Sequence, residues 1–333
     1  MNRFLATMGL YDAQPHGYLV QVSSLQIIFL WSEIRWACIV GAVGMLSNVI
    51  ESRLKARLEA TLSAISIALL WVMLASAAQC QQSPPQQATT AGTESLQNLA
   101  KDTLNPFAGV IKVPFQFTTG FGIGAYHRVG ESLNIEPLVP IALNSDWELI
   151  AQPSLNLTYA PSPNEQFGLQ DLQTSFFLTP ANATTWIWGI GPIFQFPTAS
   201  SKELGSGRWS AGPTAALVYD QGPWLIGILS YQLMSFAGDR SRGSVNQTFI
   251  EPEISYSLKN GWYGQWDPSI TYDWTADVAN AWSVPAGVDV GRALKVGDQA
   301  MSLQVGGYDF LIHPSGTPQW IVRAQVTFLF TKN

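Results

Sequence analysis

Trp147-Glu148-Leu149-Ile150-Ala151-Gln152-Pro153-Ser154-Leu155-Asn156-Leu157-Thr158-Tyr159 alternates with period two along its whole length. Trp147, Leu149, Ala151, Pro153, Leu155, Leu157 and Tyr159 fall on one face, with Glu148, Ile150, Gln152, Ser154, Asn156 and Thr158 on the other. This is the pattern of a strand with an apolar medium on one side and a polar one on the other. Length separates two settings for such a strand. Strands of soluble proteins average about 5 to 6 residues, whereas a tilted strand crossing hydrocarbon needs about 9 to 11. The stretch from Trp147 to Tyr159 has thirteen. Trp262 to Trp274 repeats the arrangement: Trp262, Trp266, Ile270, Tyr272 and Trp274 oppose Tyr263, Gln265, Asp267, Ser269, Thr271 and Asp273.

Extended along the chain, the alternation predicts about twelve segments: 112–121, 132–141, 147–159, 169–179, 185–196, 209–219, 223–235, 245–258, 262–274, 282–291, 299–311 and 320–330. Every second connection is short, as at 142–146, 180–184, 220–222 and 259–261. The others, such as 197–208 and 236–244, are longer and more polar. Short turns alternating with long loops, and an even strand count, describe an antiparallel transmembrane β-barrel. The connection 293–298 is expected to be longer than its short-turn counterparts. Composition agrees: 47% of the chain is apolar and only 12% charged, against about 25% charged in ordinary soluble domains. The net charge of −6 lacks the basic footprint of a nucleic-acid binder.

Ahead of the barrel, residues 51–78 read as a signal peptide. Arg53, Lys55 and Arg57 precede the apolar run Leu62–Leu74 and the small residues Ala75, Ser76, Ala77 and Ala78. Residues 1–50 read as an overextended start, with Met45 as initiator, or as an unassigned apolar segment. Residues 79–104 form a polar linker that ends in a short helix, and 105–333 the barrel. Cys80 is an incidental linker cysteine, because Gln79 precedes it directly and Ala77 stands where a lipid-attachment box has Leu.

With the Trp-rich parity facing lipid, the opposite parity lines the lumen: Asn134, Glu136, Glu148, Gln152, Asn156, Asp171, Glu251, Glu253, Asp267, Asp273, Asp289, Gln304, Arg323 and Gln325. An acidic lining favours cationic or neutral polar solutes. Ile187, Ile193, Leu225 and Leu229 add an apolar patch on the same side. Trp147, Trp186, Trp188, Trp224 and Trp262 each follow a short turn and are expected to form an interfacial girdle. Prolines at 137, 140, 153, 192, 213, 252, 268 and 285 fall inside predicted segments and conflict with an unbroken ladder.

The final alternation, through Trp320, Val322, Ala324, Val326, Phe328 and Phe330, resembles the strand by which outer-membrane barrels are recognised for assembly. A wider resemblance runs from Asn105-Pro106 and Val113-Pro114-Phe115-Gln116 through Gly189-Ile190-Gly191-Pro192 and 204–214 (LGSGRWSAGPT). It continues through Gly222-Pro223-Trp224, Ser235-Phe236-Ala237-Gly238, 245–249 (VNQTF) and Tyr272-Asp273-Trp274, to Trp282-Ser283-Val284-Pro285. These motifs together resemble the outer-membrane family labelled "MetA-pathway of phenol degradation". The resemblance implies a barrel in the outer membrane of a Gram-negative bacterium that takes up aromatic or other small organic solutes. Its partners would be outer-membrane lipid, the barrel assembly machinery and the solute.

The alternatives are a non-conducting structural or surface barrel and, more remotely, a barrel hydrolase. Beyond residue 78 the only histidines are His127 and His313, and Ser315 two residues from His313 does not make a triad. No catalytic residue, metal site or cofactor is therefore assigned. N-terminal sequencing of the exported protein is expected to begin at Gln79; a start at Met45 or earlier would show that 51–78 is retained.

Overall fold

The structure, a computed structural model, describes residues 90–161 and 163–330; the signal-peptide segment 51–78 and residues 1–50 lie outside them. One helix, α1 (Thr90–Leu104), precedes β1 (Ile111–Ile123), β2 (Arg128–Ile135), β3 (Val139–Ala142), β4 (Trp147–Ala160), β5 (Gln166–Leu169), β6 (Leu172–Pro180), β7 (Trp186–Phe196) and β8 (Arg208–Gln221). There follow β9 (Trp224–Gly238), β10 (Asn246–Ser257), β11 (Trp262–Trp266), β12 (Ile270–Asp273), β13 (Trp282–Val296), β14 (Gln299–Ile312) and β15 (Trp320–Phe330). Three pairs are single staves with a local break: β2 with β3, β5 with β6, and β11 with β12. The twelve staves that result pair antiparallel with their neighbours, and β15 closes on β1.

The breaks explain two of the prolines. Pro137 falls between β2 and β3, and Pro268 between β11 and β12. Pro285 sits at a register shift against β14. Pro192 lies directly opposite Pro213, so neither residue donates a rung at that crossing. Across the break at 267–269 the facing is kept, because Gln265, Asp267 and Ser269 all reach the interior cavity.

Residues 293–298 do not make the longer connection expected of them. β13 runs on to Val296, paired with Gln299, and the turn is only Gly297-Asp298. Gly297 has φ of 60°, the left-handed first position that makes a two-residue hairpin match the strand twist. The shortness was hidden because Arg292 and Lys295, which look like loop residues, are ladder residues.

Side-chain facing follows the alternation. Trp188, Ile190, Leu217, Ile226, Ile228, Ile254, Val288 and Val290 are exposed on the outside of the wall. So broad an apolar exterior is stable only in lipid. It is bounded at the short-turn end by Trp186, Trp188 and Trp224, and Trp147 packs edge-on against Trp188 at 6.0 Å. A second belt, not anticipated, lies at the long-loop end, where Trp209, Trp274, Trp282 and Trp320 are exposed. From Trp209 to Tyr219 on β8, at about 3.3 Å per residue and a tilt of about 40°, the belts stand about 25 Å apart, the height of an outer-membrane hydrocarbon band.

Gly297→Val is expected to lower barrel stability by about 1 to 2 kcal/mol, because a β-branched residue strains a positive φ. Gly264→Ala, with open space around its added methyl, is the control. The measurement is the temperature at which the folded band shifts on unheated gels; equal shifts in both variants would refute the turn assignment.

Candidate functional site: the barrel lumen

Apolar spacing at Leu96, Leu99, Ala100 and Leu104 puts one greasy stripe on α1. The helix stops there because Asn105 precedes Pro106, which disfavours helical backbone at the residue before it. That stripe packs on Ile187, Val218, Leu225, Tyr263, Ala293 and Leu329. Each of these lies at the end of a strand next to a short turn or next to the chain end after β15, so α1 occupies the short-turn mouth of the barrel. Leu99 and Leu104 are buried and Ala100 is fully so.

Polar contacts orient the helix. Lys101 pairs with Asp220 at 2.7 Å, Asn105 donates to the same carboxylate, and Gln97 donates to the Ser257 carbonyl. The buried Lys112 ammonium, from β1, donates to the Thr103 and Asn105 carbonyls at the helix C-terminus. Burying each leucine contributes about 2 kcal/mol, against about 1 kcal/mol at most for a partly exposed pair such as Lys101–Asp220. Apolar packing therefore holds α1, and the polar contacts set its orientation.

Above the helix lies a cavity of about 430 Å³ walled by every stave except those of β13 and β14. Asn134, Glu136, Gln152, Asn156, Glu251, Glu253, Asp267, Arg323 and Gln325 all reach it, as do Ile193 and Leu229 of the apolar patch. Most of these side chains are held by neutral donors. Gln152 donates to Glu136 at 2.6 Å, Ser269 to Glu251 at 2.7 Å, and Gln265 to Glu253 at 3.1 Å.

One wall is charged differently. Arg323 donates through Nε to Asp289 at 2.8 Å, and its Nη2 reaches Asp267, Asp289 and the Tyr308 hydroxyl. The guanidinium also lies 4.5 Å over the Tyr308 ring. Asp289 is 1% exposed, and Gly306 opposite it leaves the room: an added methyl would stand 2.0 Å from its carboxylate oxygen. Gln304 is buried behind this wall, bonded to Gln265 and Tyr263.

Five of the sequence-assigned residues lie away from the central cavity: Asp289 and Gln304, buried in the wall, and Glu148, Asp171 and Asp273. Glu148 sits next to the short-turn end. Asp171 and Asp273 line a separate pocket of about 370 Å³ on the long-loop side. Asp171, at the break between β5 and β6, accepts from the backbone of Ala199 and Ser206 and from the Ser206 hydroxyl, which folds the loop 197–207 inward. Arg242 of the neighbouring long loop donates to the Lys202 and Gly205 carbonyls and ties the two loops together. Bonds from the Ser241 backbone and hydroxyl hold the Asp239 carboxyl below its usual range and fix that loop's tip.

Of the girdle tryptophans, Trp186 packs at a tilt against Tyr219, Trp224 packs edge-on against Tyr256, and Arg292 lies over Trp262. Along the closing seam Val326 pairs with Phe115, Phe328 with Val113 and Phe330 with Ile111, while Trp320 stacks on Phe121 at 3.9 Å. His313 bonds at the Pro314 carbonyl, and Ser315 meets Asn280 through its backbone N–H, so the two form no pair. The placement of α1, Lys112 and the second tryptophan belt escaped the sequence reading. Outward parity at the far strand ends was the signal available for that belt.

The chain matches no protein-family model and no curated protein. Among solved structures, an outer membrane channel from Pseudomonas putida F1 superposes with a TM-score of 0.52 at 16% identity, covering 66% of this chain and 94% of that one. The NanC porin gives 0.45 at 12% identity, covering 66% and 98%. An outer membrane phospholipase from Salmonella typhi gives 0.39 at 14%, covering 71% and 96%. The first of these shares the barrel fold with this chain.

Arg323→Met is expected to cost about 3 to 5 kcal/mol, since it leaves Asp289 and Asp267 buried without a counter-charge. Adding Asp289→Asn and Asp267→Asn should recover part of that loss. Thermal unfolding of the folded protein checks this; a triple variant no more stable than the single one would overturn the reading.

Proposed function

We propose that the protein is an outer-membrane channel or transporter for small organic solutes, including aromatic ones as the phenol-degradation resemblance implies. The observation that carries the reading is the polar central cavity of about 430 Å³ inside a closed, lipid-faced barrel. A barrel of twelve staves is wider than the eight-stranded kind that side chains fill. Solute enters past the long loops 197–207 and 239–245, occupies the cavity, and leaves toward the periplasm when α1 swings out of the short-turn mouth. Residues 51–78 direct export, and β15 presents Trp320, Val326, Phe328 and Phe330 to the assembly machinery.

The docked helix also favours a second reading, a barrel permanently stoppered by α1 that serves a structural or surface role. The two differ in what happens when the helix is released. Leu99→Asp combined with Leu104→Asp puts two carboxylates into the apolar contact and is expected to undock α1. In planar bilayers the native chain should then show rare, small current steps, and the double variant frequent, larger ones with cation preference. Glu251→Gln and Glu253→Gln in that background should weaken the preference. A folded, undocked barrel that stays silent would sink the channel reading in favour of the structural one.

A further inference from the structure

Glu136 and Glu251 face each other across the lumen. Glu136 directly follows β2 in the second stave, and Glu251 lies in β10, the eighth, so half the ring of twelve separates them either way round. Both reach the same cavity. Glu251 lies in the electrostatic fields of Arg323 and, more weakly, of Glu136, and the Tyr231 hydroxyl lies in the field of both carboxylates. Among the described residues neither carboxylate has a Lys or Arg within salt-bridge distance. The nearby cations are already engaged: Arg323 by Asp267 and Asp289, Lys112 by the carbonyls that end α1.

The wall beside this pair is aromatic. Tyr231 and Phe249 stack with ring centroids 4.7 Å apart and planes 7° from parallel, and both line the cavity. Two like charges converging on a space of low dielectric repel each other, and a cation between them removes that cost. An aromatic face attracts the same cation through its quadrupole, most strongly when the cation is weakly hydrated. A metal ion would need several oxygen ligands drawn close together. Among the described residues no three His, Cys, Asp or Glu side chains are so arranged.

We propose that the central cavity binds organic ammonium ions, with Glu136 and Glu251 holding the charge from opposite walls and the Tyr231–Phe249 stack bearing on the apolar part. The assignment rests on the channel reading and adds the solute class to it. Neutral and anionic aromatics of the same size lack the charge that the carboxylate pair recognises.

The test is calorimetric titration of the full chain, folded in detergent, with benzyltrimethylammonium, benzyl alcohol and benzoate. The ammonium should bind at least about tenfold more tightly than the alcohol, with benzoate weakest. Glu136→Gln and Glu251→Gln keep the neutral hydrogen-bond partners and should each cost about tenfold for the ammonium alone. Tyr231→Leu should weaken the ammonium more than the alcohol. Equal affinity for the three probes, or ammonium affinity unchanged in both Gln variants, overturns the proposal; so does a response to Mg²⁺ without one to the ammonium. Conductance of the undocked barrel separates the failures. Conduction without ammonium preference defeats this inference alone, and absence of both conduction and binding removes the channel reading too. Ammonium binding by a silent barrel keeps the site and defeats passage.

Discussion

A backbone that crosses hydrocarbon has no water to satisfy its donors and acceptors, so every rung must be made to another strand. The pairing of β15 with β1, from Phe330–Ile111 to Trp320–Phe121, is where this protein meets that requirement, because it leaves the sheet without an edge. Closure then fixes which side chains meet lipid and which meet the lumen, since alternate residues cannot share a face. The breaks at 136–138 and 267–269 interrupt the ladder without disturbing that alternation, whereas at 170–171 it shifts by one residue, so that Gly168, opposite Thr158, and Gln173, opposite Ser154, both face inward.

Inside the wall, charge is distributed unevenly. Arg323 and its two aspartates, with Tyr308 and Gly306, form a closed network with its hydrogen-bonding capacity largely used internally. Glu136, Glu251 and Glu253 are held instead by amides and hydroxyls. Neutral donors orient a carboxylate without cancelling its charge. The first group therefore braces the wall between β11, β13, β14 and β15, and the second gives the cavity its electrostatic character.

Much of this was legible in the sequence, because membrane strands obey a local rule. Period-two runs such as Trp147–Tyr159 identify stave, facing and length without knowledge of the neighbours. What escaped depends on contacts between distant residues. The helix before Asn105-Pro106 was foreseeable, but nothing local says that its leucine stripe faces Ile187, Val218 and Leu225. The tight turn at Gly297 was masked by charged residues that turn out to be paired. Asp171 has the parity of a lumen residue, yet it serves as an anchor for a loop that begins a full strand later. Proline at 137 and 268 looked like a contradiction only while each stave was taken as one unbroken strand.

The position of α1 in the chain bears on how the molecule is made. The helix comes first in sequence, yet its partners come late: Asn105 reaches Asp220 across 115 residues, and Gln97 reaches Ser257 across 160. Its apolar seat also draws on β13 and β15, and Leu329 of that seat exists in place only once the last strand has joined the first. The complete seat is thus available only to a closed ring, and until the ring closes the leucine stripe does without it. A barrel that inserted with an incomplete seam would be left with its stopper hanging free, which makes the docked helix a built-in report that closure has succeeded.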